Sequence, residues 1–145
     1  MPRWAAKSCI AAIMLAMSAL SAACSAPTAI EGRWLAVDAT LAGKPAKRLP
    51  GHVLRVENDR FRITKDGKLL FGGTVATNAA PTPPTVDFQQ TETDTLAGLW
   101  RGIYALDRDN LTICDNAYDM KKPRAASFDD CNAEGYVTLR FTRMK

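Results

Sequence analysis

Few side chains in this sequence could do chemistry. One histidine, His52, and four cysteines, Cys9, Cys24, Cys114 and Cys131, stand among 145 residues. A hydrolytic triad needs a base set beside a nucleophile and oriented by an acid, and a lone His52 next to Gly51 at a strand start makes no such set. The expected reading is a surface or half-buried histidine. A catalytic thiol would need the same base. Two thiols 17 positions apart with one histidine do not complete a zinc set. Asp107, Asp109, Asp115, Asp119, Asp129 and Asp130 gather near turn signals, without the spacing of a calcium loop, and read as turn residues. There is no G-x-S-x-G, no P-loop and no H-E-x-x-H. The expectation is a protein with no catalytic residue, no metal and no cofactor, and not an enzyme.

The first 23 residues carry an address. Arg3 and Lys7 give a positive start, Cys9–Leu20 is an apolar run of 12 residues, and Ser21-Ala22-Ala23 follow. That order is a signal peptide by pattern. The run is well short of the ~20 residues of a permanent span. Cys24 resembles the invariant, lipid-modified cysteine of bacterial lipoproteins, although Leu20 stands one place further back than the usual box puts it. Ser21-x-Ala23 also suits ordinary cleavage, so a soluble periplasmic or secreted protein stays open beside the lipoprotein. The lipoprotein resemblance implies an anchor at Cys24 and, with Ser25 carrying no acidic retention signal, the periplasmic side of the outer membrane. Residues 24–29 would be the tether, and 30–145 the folded domain.

Of 145 residues, setting the first 23 aside leaves 122, enough for one core and too few for two. The net charge of +4 falls to +2 once Arg3 and Lys7 leave, which gives no nucleic-acid footprint. Cys114 and Cys131 are then the remaining pair, expected to be joined in an oxidising compartment. A loop of that size stabilises a fold by roughly 3 kcal/mol in the chain-entropy model.

The elements that must position these residues read as strands. Val137–Thr142 alternates apolar and polar over six residues, as does Phe61–Thr64. Lys65-Asp66-Gly67-Lys68 turns the latter into Leu69–Thr77, and Gly72-Gly73 inside that strand predicts a bulge or a bend at a barrel corner. Arg33–Ala39, His52–Glu57, Thr85–Gln90, Trp100–Leu106 and Leu111–Asp115 complete eight strands, which suit a small closed antiparallel barrel. Residues 78–84 hold three prolines and cannot be a central strand. Residues 116–135 are a long polar excursion, a length that in a compact domain marks a functional or mobile loop.

Several motifs, taken in order, resemble a known family. They are Gly32-Arg33-Trp34, Gly43-Lys44-Pro45, Arg60-Phe61-Arg62-Ile63, Gly102-Ile103-Tyr104-Ala105-Leu106-Asp107, Leu111-Thr112-Ile113-Cys114, Lys122-Pro123-Arg124 and Ser127-Phe128. Together they resemble an uncharacterised bacterial domain family, first catalogued from planctomycetes, over roughly residues 30–144. The resemblance implies a lipocalin-like barrel and an exported setting, and implies no activity. Gly32-x-Trp34 also resembles the opening of true lipocalins, where the Trp closes the barrel base beneath an Arg near the last strand. That resemblance implies a staple of Trp34 and Arg140, with Arg143 as the other candidate.

An eight-stranded barrel is filled by side chains or holds one small ligand. The favoured reading is a module that binds a small apolar or amphipathic molecule, with Phe71, Phe88, Trp100 and Tyr104 as candidate liners. The alternative is an envelope protein–protein or enzyme-inhibitor module with no cavity, touching its partner through residues 116–135.

Overall fold

The computed structural model describes residues 29–145. The export segment, Cys24 and the tether up to residue 28 lie outside the described residues.

Alternation of apolar and polar residues produces nine strands: β1 (Gly32–Leu41), β2 (Lys44–Pro45), β3 (Val53–Glu57), β4 (Arg60–Lys65), β5 (Lys68–Asn78), β6 (Thr85–Gln90), β7 (Gly98–Asp107), β8 (Asn110–Asp115) and β9 (Val137–Arg143). Eight of them pair antiparallel in the order β1-β3-β4-β5-β6-β7-β8-β9, and β9 returns to β1. The sheet is therefore a closed barrel without a free long edge, the arrangement the strand count predicts. The two-residue β2 is an addition to the expected eight, pairing with the end of β1 through Thr40↔Pro45 and Leu41↔Lys44. The β1–β9 register shifts between Ala36 and Asp38, which leaves Val37 bulged outward and half exposed.

One face of each of the eight barrel strands fills the interior. Trp34, Leu54, Phe61, Val86, Leu111 and Ile113 are almost wholly removed from water and belong to one cluster with Phe88, Trp100, Tyr104 and Phe141. Phe61, Phe88 and Trp100 pack edge-on or tilted, with ring centroids 4.8–5.9 Å apart, the geometry aromatic quadrupoles favour.

The interruption in β5 differs from expectation. The β4–β5 register shifts between Ile63 and Thr64, so the bulge sits at Leu70 and not at Gly72-Gly73. The glycines serve close approach instead. A Cβ at Gly73 would collide with the Gln89 carbonyl oxygen, and one at Gly72 would lie 2.6 Å from the Glu92 carboxylate. Only glycine lets β6 and the chain beyond it come this near.

The two ends of the barrel differ. At the end where the described chain enters, Ile30 and Trp34 are fully buried and Trp34 Nε1 donates to the Ile30 carbonyl at 2.9 Å. Arg143 lies over the Trp34 ring, its guanidinium carbon 4.2 Å from the ring centre. Its side chain also donates to Asp109 Oδ1 and to the Glu31 carbonyl. The staple is thus Trp34 with Arg143, and the expected Arg140 is corrected. Arg140 points outward on β9 and pairs with Asp38 at 2.8 Å, both side chains being more than half exposed. Strand alternation explains this: positions 141 and 143 share a parity, and Arg140 falls on the opposite face.

Candidate functional site

At the other end, the loops after β2, β6 and β8 stand around a pocket. Each owes its shape to a buried or half-buried polar side chain. The loop after β6 is gathered by Gln90, only 1% exposed, whose amide donates to the Thr93 and Thr95 carbonyls and to Thr93 Oγ1. Its Oε1 accepts from Gly72 N–H, which ties that loop to β5. The carbonyl of Leu96 accepts the Trp100 indole N–H at 2.8 Å. Leu96 itself sits at φ 53°, a left-handed conformation that a leucine adopts only when its surroundings impose it. The loop after β8 is gathered by Asn116, fully buried, which accepts from Arg101 N–H at 2.8 Å and donates to the Lys122 carbonyl at 2.6 Å. The loop before β3 is held by His52, whose Nδ1 donates to the Leu49 carbonyl at 2.6 Å.

The rest of the 116–135 excursion is neither free nor polar throughout. Arg124 bonds Asp87 at 2.6 Å and the Gly102 carbonyl at 3.0 Å. Tyr136 donates its hydroxyl to the Pro123 carbonyl. A 3₁₀ turn at Phe128–Asn132 delivers Cys131 to Cys114, and the disulfide forms as expected. Ile103, Cys114, Ala125, Cys131 and Tyr136 make a second small core on the outer wall. The segment expected to be a functional or mobile loop is tied at Cys131 and laid as a strap against the barrel.

The pocket enclosed by these loops has a volume of about 60 Å³. Leu49, Leu96 and Tyr118 form its rim, and Phe71, Phe88 and Trp100 its aromatic wall, with Phe71 and Trp100 edge-to-face at 5.2 Å. Three of the four expected liners are thus brought together. Tyr104 is not among them: it is buried in the core further along β7 and does not reach the pocket, which is a correction. Its place follows from strand period, since position 104 points inward like 100 but four residues nearer the closed end.

Two groups that sequence reasoning passed over line the same pocket, His52 and Asp115. Asp115 ends β8 with only 4% of its surface exposed. Its Oδ1 accepts from Ala117 N–H at 3.0 Å, and no cation pairs with it among the described residues. Burial drives its pKa up to about 7, against the opposing pull of the Ala117 hydrogen bond. Burial also lowers the pKa of His52, the Leu49 hydrogen bond opposing and Lys65 adding to the shift. Tyr118 is raised by burial and then by Asp115. The signal for Asp115 was present as an acid on the inward parity of β8, two residues past Ile113, where apolar side chains otherwise stand. Among the described residues no three His, Cys, Asp or Glu side chains gather closely enough to hold a metal.

The volume limits what the site can hold. It is below the roughly 150 Å³ of an apolar cavity that takes benzene, and below the roughly 300 Å³ at which small-molecule pockets begin. The interior is otherwise filled, so the site is an open mouth and not a closed chamber. No family model matches this chain, and neither a curated protein nor a solved structure is similar enough to it to count as a match.

Proposed function

We propose that this protein is an exported binding module, not an enzyme, that takes the apolar end of a small amphipathic molecule into the mouth of its barrel. The observation that carries the reading is the pocket itself. Apolar residues from strands and loops converge on one open end of a barrel that is elsewhere packed shut, and Asp115 and His52 stand among them. A largely pre-formed apolar concavity with a few convergent polar groups is the common form of a ligand site. The strained Leu96 backbone at the rim supports it, because such conformations concentrate at ligand clamps.

The lipocalin-like resemblance and the lipid anchor at Cys24 belong to the same proposal. The described chain enters beside Trp34 and Arg143, at the end opposite the pocket. A tether running back from Ile30 to an acylated Cys24 would hold the closed end toward the periplasmic face of the outer membrane and leave the mouth facing away from it.

The small volume favours a second reading, in which the mouth receives one anchor side chain of an envelope protein and the strap, with half-exposed Tyr118 at its start, forms the surrounding contact. Native mass spectrometry of the protein purified from its own host separates the two. A carried small mass that leaves on denaturation supports the ligand reading. A bare chain that is recovered with a stoichiometric protein partner, and loses it when Leu49→Trp fills the rim, supports the second and contradicts the first.

A further inference from the structure

The polar groups in the pocket lining offer acceptors. Asp115 offers a carboxylate, with Oδ1 already taking the Ala117 N–H and no hydrogen bond to Oδ2 among the described residues. Because the His52 Nδ1–H is spent on the Leu49 carbonyl, the neutral ring presents Nε2 as an acceptor. Tyr118 alone adds a hydroxyl, which can accept as well as donate. The remaining wall is apolar and rich in π faces: Phe71, Phe88 and Trp100. The nearest lysine ammonium, that of Lys65, is turned onto the Arg48 carbonyl at 3.0 Å and is not part of the lining. A buried acid with no cation paired to it among the described residues, in a lining that also holds three aromatic side chains, is complementary to a positively charged donor on a short apolar stem.

We infer that the mouth pocket selects primary alkyl amines, the ammonium bonding Asp115 and the near part of the carbon stem lying against Phe71 and Trp100. The inference rests on the ligand reading above and names its ligand class. Near neutral pH the site holds Asp115 partly protonated, and an entering ammonium favours its ionised form. Binding then moves one proton from the carboxyl to solvent for each protonated site filled, and no bond of the ligand is made or broken. The groups facing Asp115 that also titrate are His52 and Tyr118.

The test compares n-hexylammonium, 1-hexanol and hexanoate, probes of equal stem length, by isothermal titration calorimetry of the purified protein at pH 8. The expected order is amine over alcohol by roughly ten- to hundredfold, the scale of a hydrogen bond to a charged group, with hexanoate weakest. Asp115→Asn is expected to erase that preference by weakening the amine roughly ten- to hundredfold. At pH 7 the amine alone should show an enthalpy that depends on the buffer's ionisation enthalpy, and the variant should not. If hexanol binds as tightly as the amine, or Asp115→Asn keeps the preference, the amine inference is overturned while the ligand reading stands. If none of the three probes binds, both are overturned.

Discussion

Asp115 carries a cost that its neighbours explain. The unfolded chain releases this proton near its ordinary value of 3.8, and the folded protein keeps it to about 7. Between those values the folded state binds more protons, so stability falls as pH rises through the window and stays reduced above it. Below pH 4 both states are protonated and the group contributes nothing. The shift corresponds to about 4 kcal/mol at pH 8. Asp115→Asn keeps an acceptor for Ala117 N–H and removes the charge. Urea unfolding of the variant and the parent at pH 4 and pH 8 should therefore diverge only at the higher pH, with the variant more stable. Equal curves at pH 8 would mean that Asp115 is hydrated. Trp34 and Arg143 show the same scale at the other end. Arg143→Ala loses the ring contact and two hydrogen bonds from a half-buried side chain, for about 1–2 kcal/mol. Arg140→Ala loses an exposed ion pair, for under ~0.5 kcal/mol. Chemical denaturation of both variants checks the assignment, and the reverse order would return the staple to Arg140. These residue roles were only partly legible in the sequence. Trp34 announced itself through Gly32-x-Trp34, but the choice between two arginines three apart rests on which face of β9 turns inward, and the burial of Phe141 decides it for Arg143.

At the scale of elements, period-two alternation was the strongest signal, and the barrel follows it closely. Val137–Arg143 and Arg60–Lys65 lie where their patterns put them, because each must bury one face and wet the other. The packing of the strap was not legible, for a physical reason. Residues 116–135 have no periodicity, and Ala125, Phe128 and Cys131 are too sparse among them to predict burial. Ala125 and Cys131 are buried, and Phe128 partly so, because Ile103 and Cys114 face outward and need a cover. The disulfide fastens that cover. Cys114→Ala with Cys131→Ala should cost roughly 3 kcal/mol by the chain-entropy estimate. Hydrogen exchange of the double variant should show amides of the strap released well before those of the β3–β4–β5 ladder, which lies away from the Arg124–Asp87 bond that ties the strap to β6. Uniform loss across the barrel would contradict the picture of a strap on an independently closed sheet.

At the scale of the whole molecule, closure gives the protein a direction. The β9–β1 pairing seals the sheet, Trp34 and Arg143 stop one end, and the loops of the other end stand around about 60 Å³ of apolar space. The barrel class was legible from strand count and turn signals. The pocket was not, since it depends on Leu49, Leu96 and Tyr118, loop residues whose loops are held by buried Gln90 and Asn116 and half-buried His52. The most direct test of the binding claim is a two-dimensional ¹H–¹⁵N NMR titration of the purified protein with n-hexylammonium and 1-hexanol. The account predicts saturable shifts confined to Leu49, Phe71, Leu96, Trp100 with its indole N–H, and Ala117–Tyr118, abolished by Leu49→Trp at the rim. Shifts scattered over the outer wall, or none at concentrations that saturate other apolar pockets, would contradict it.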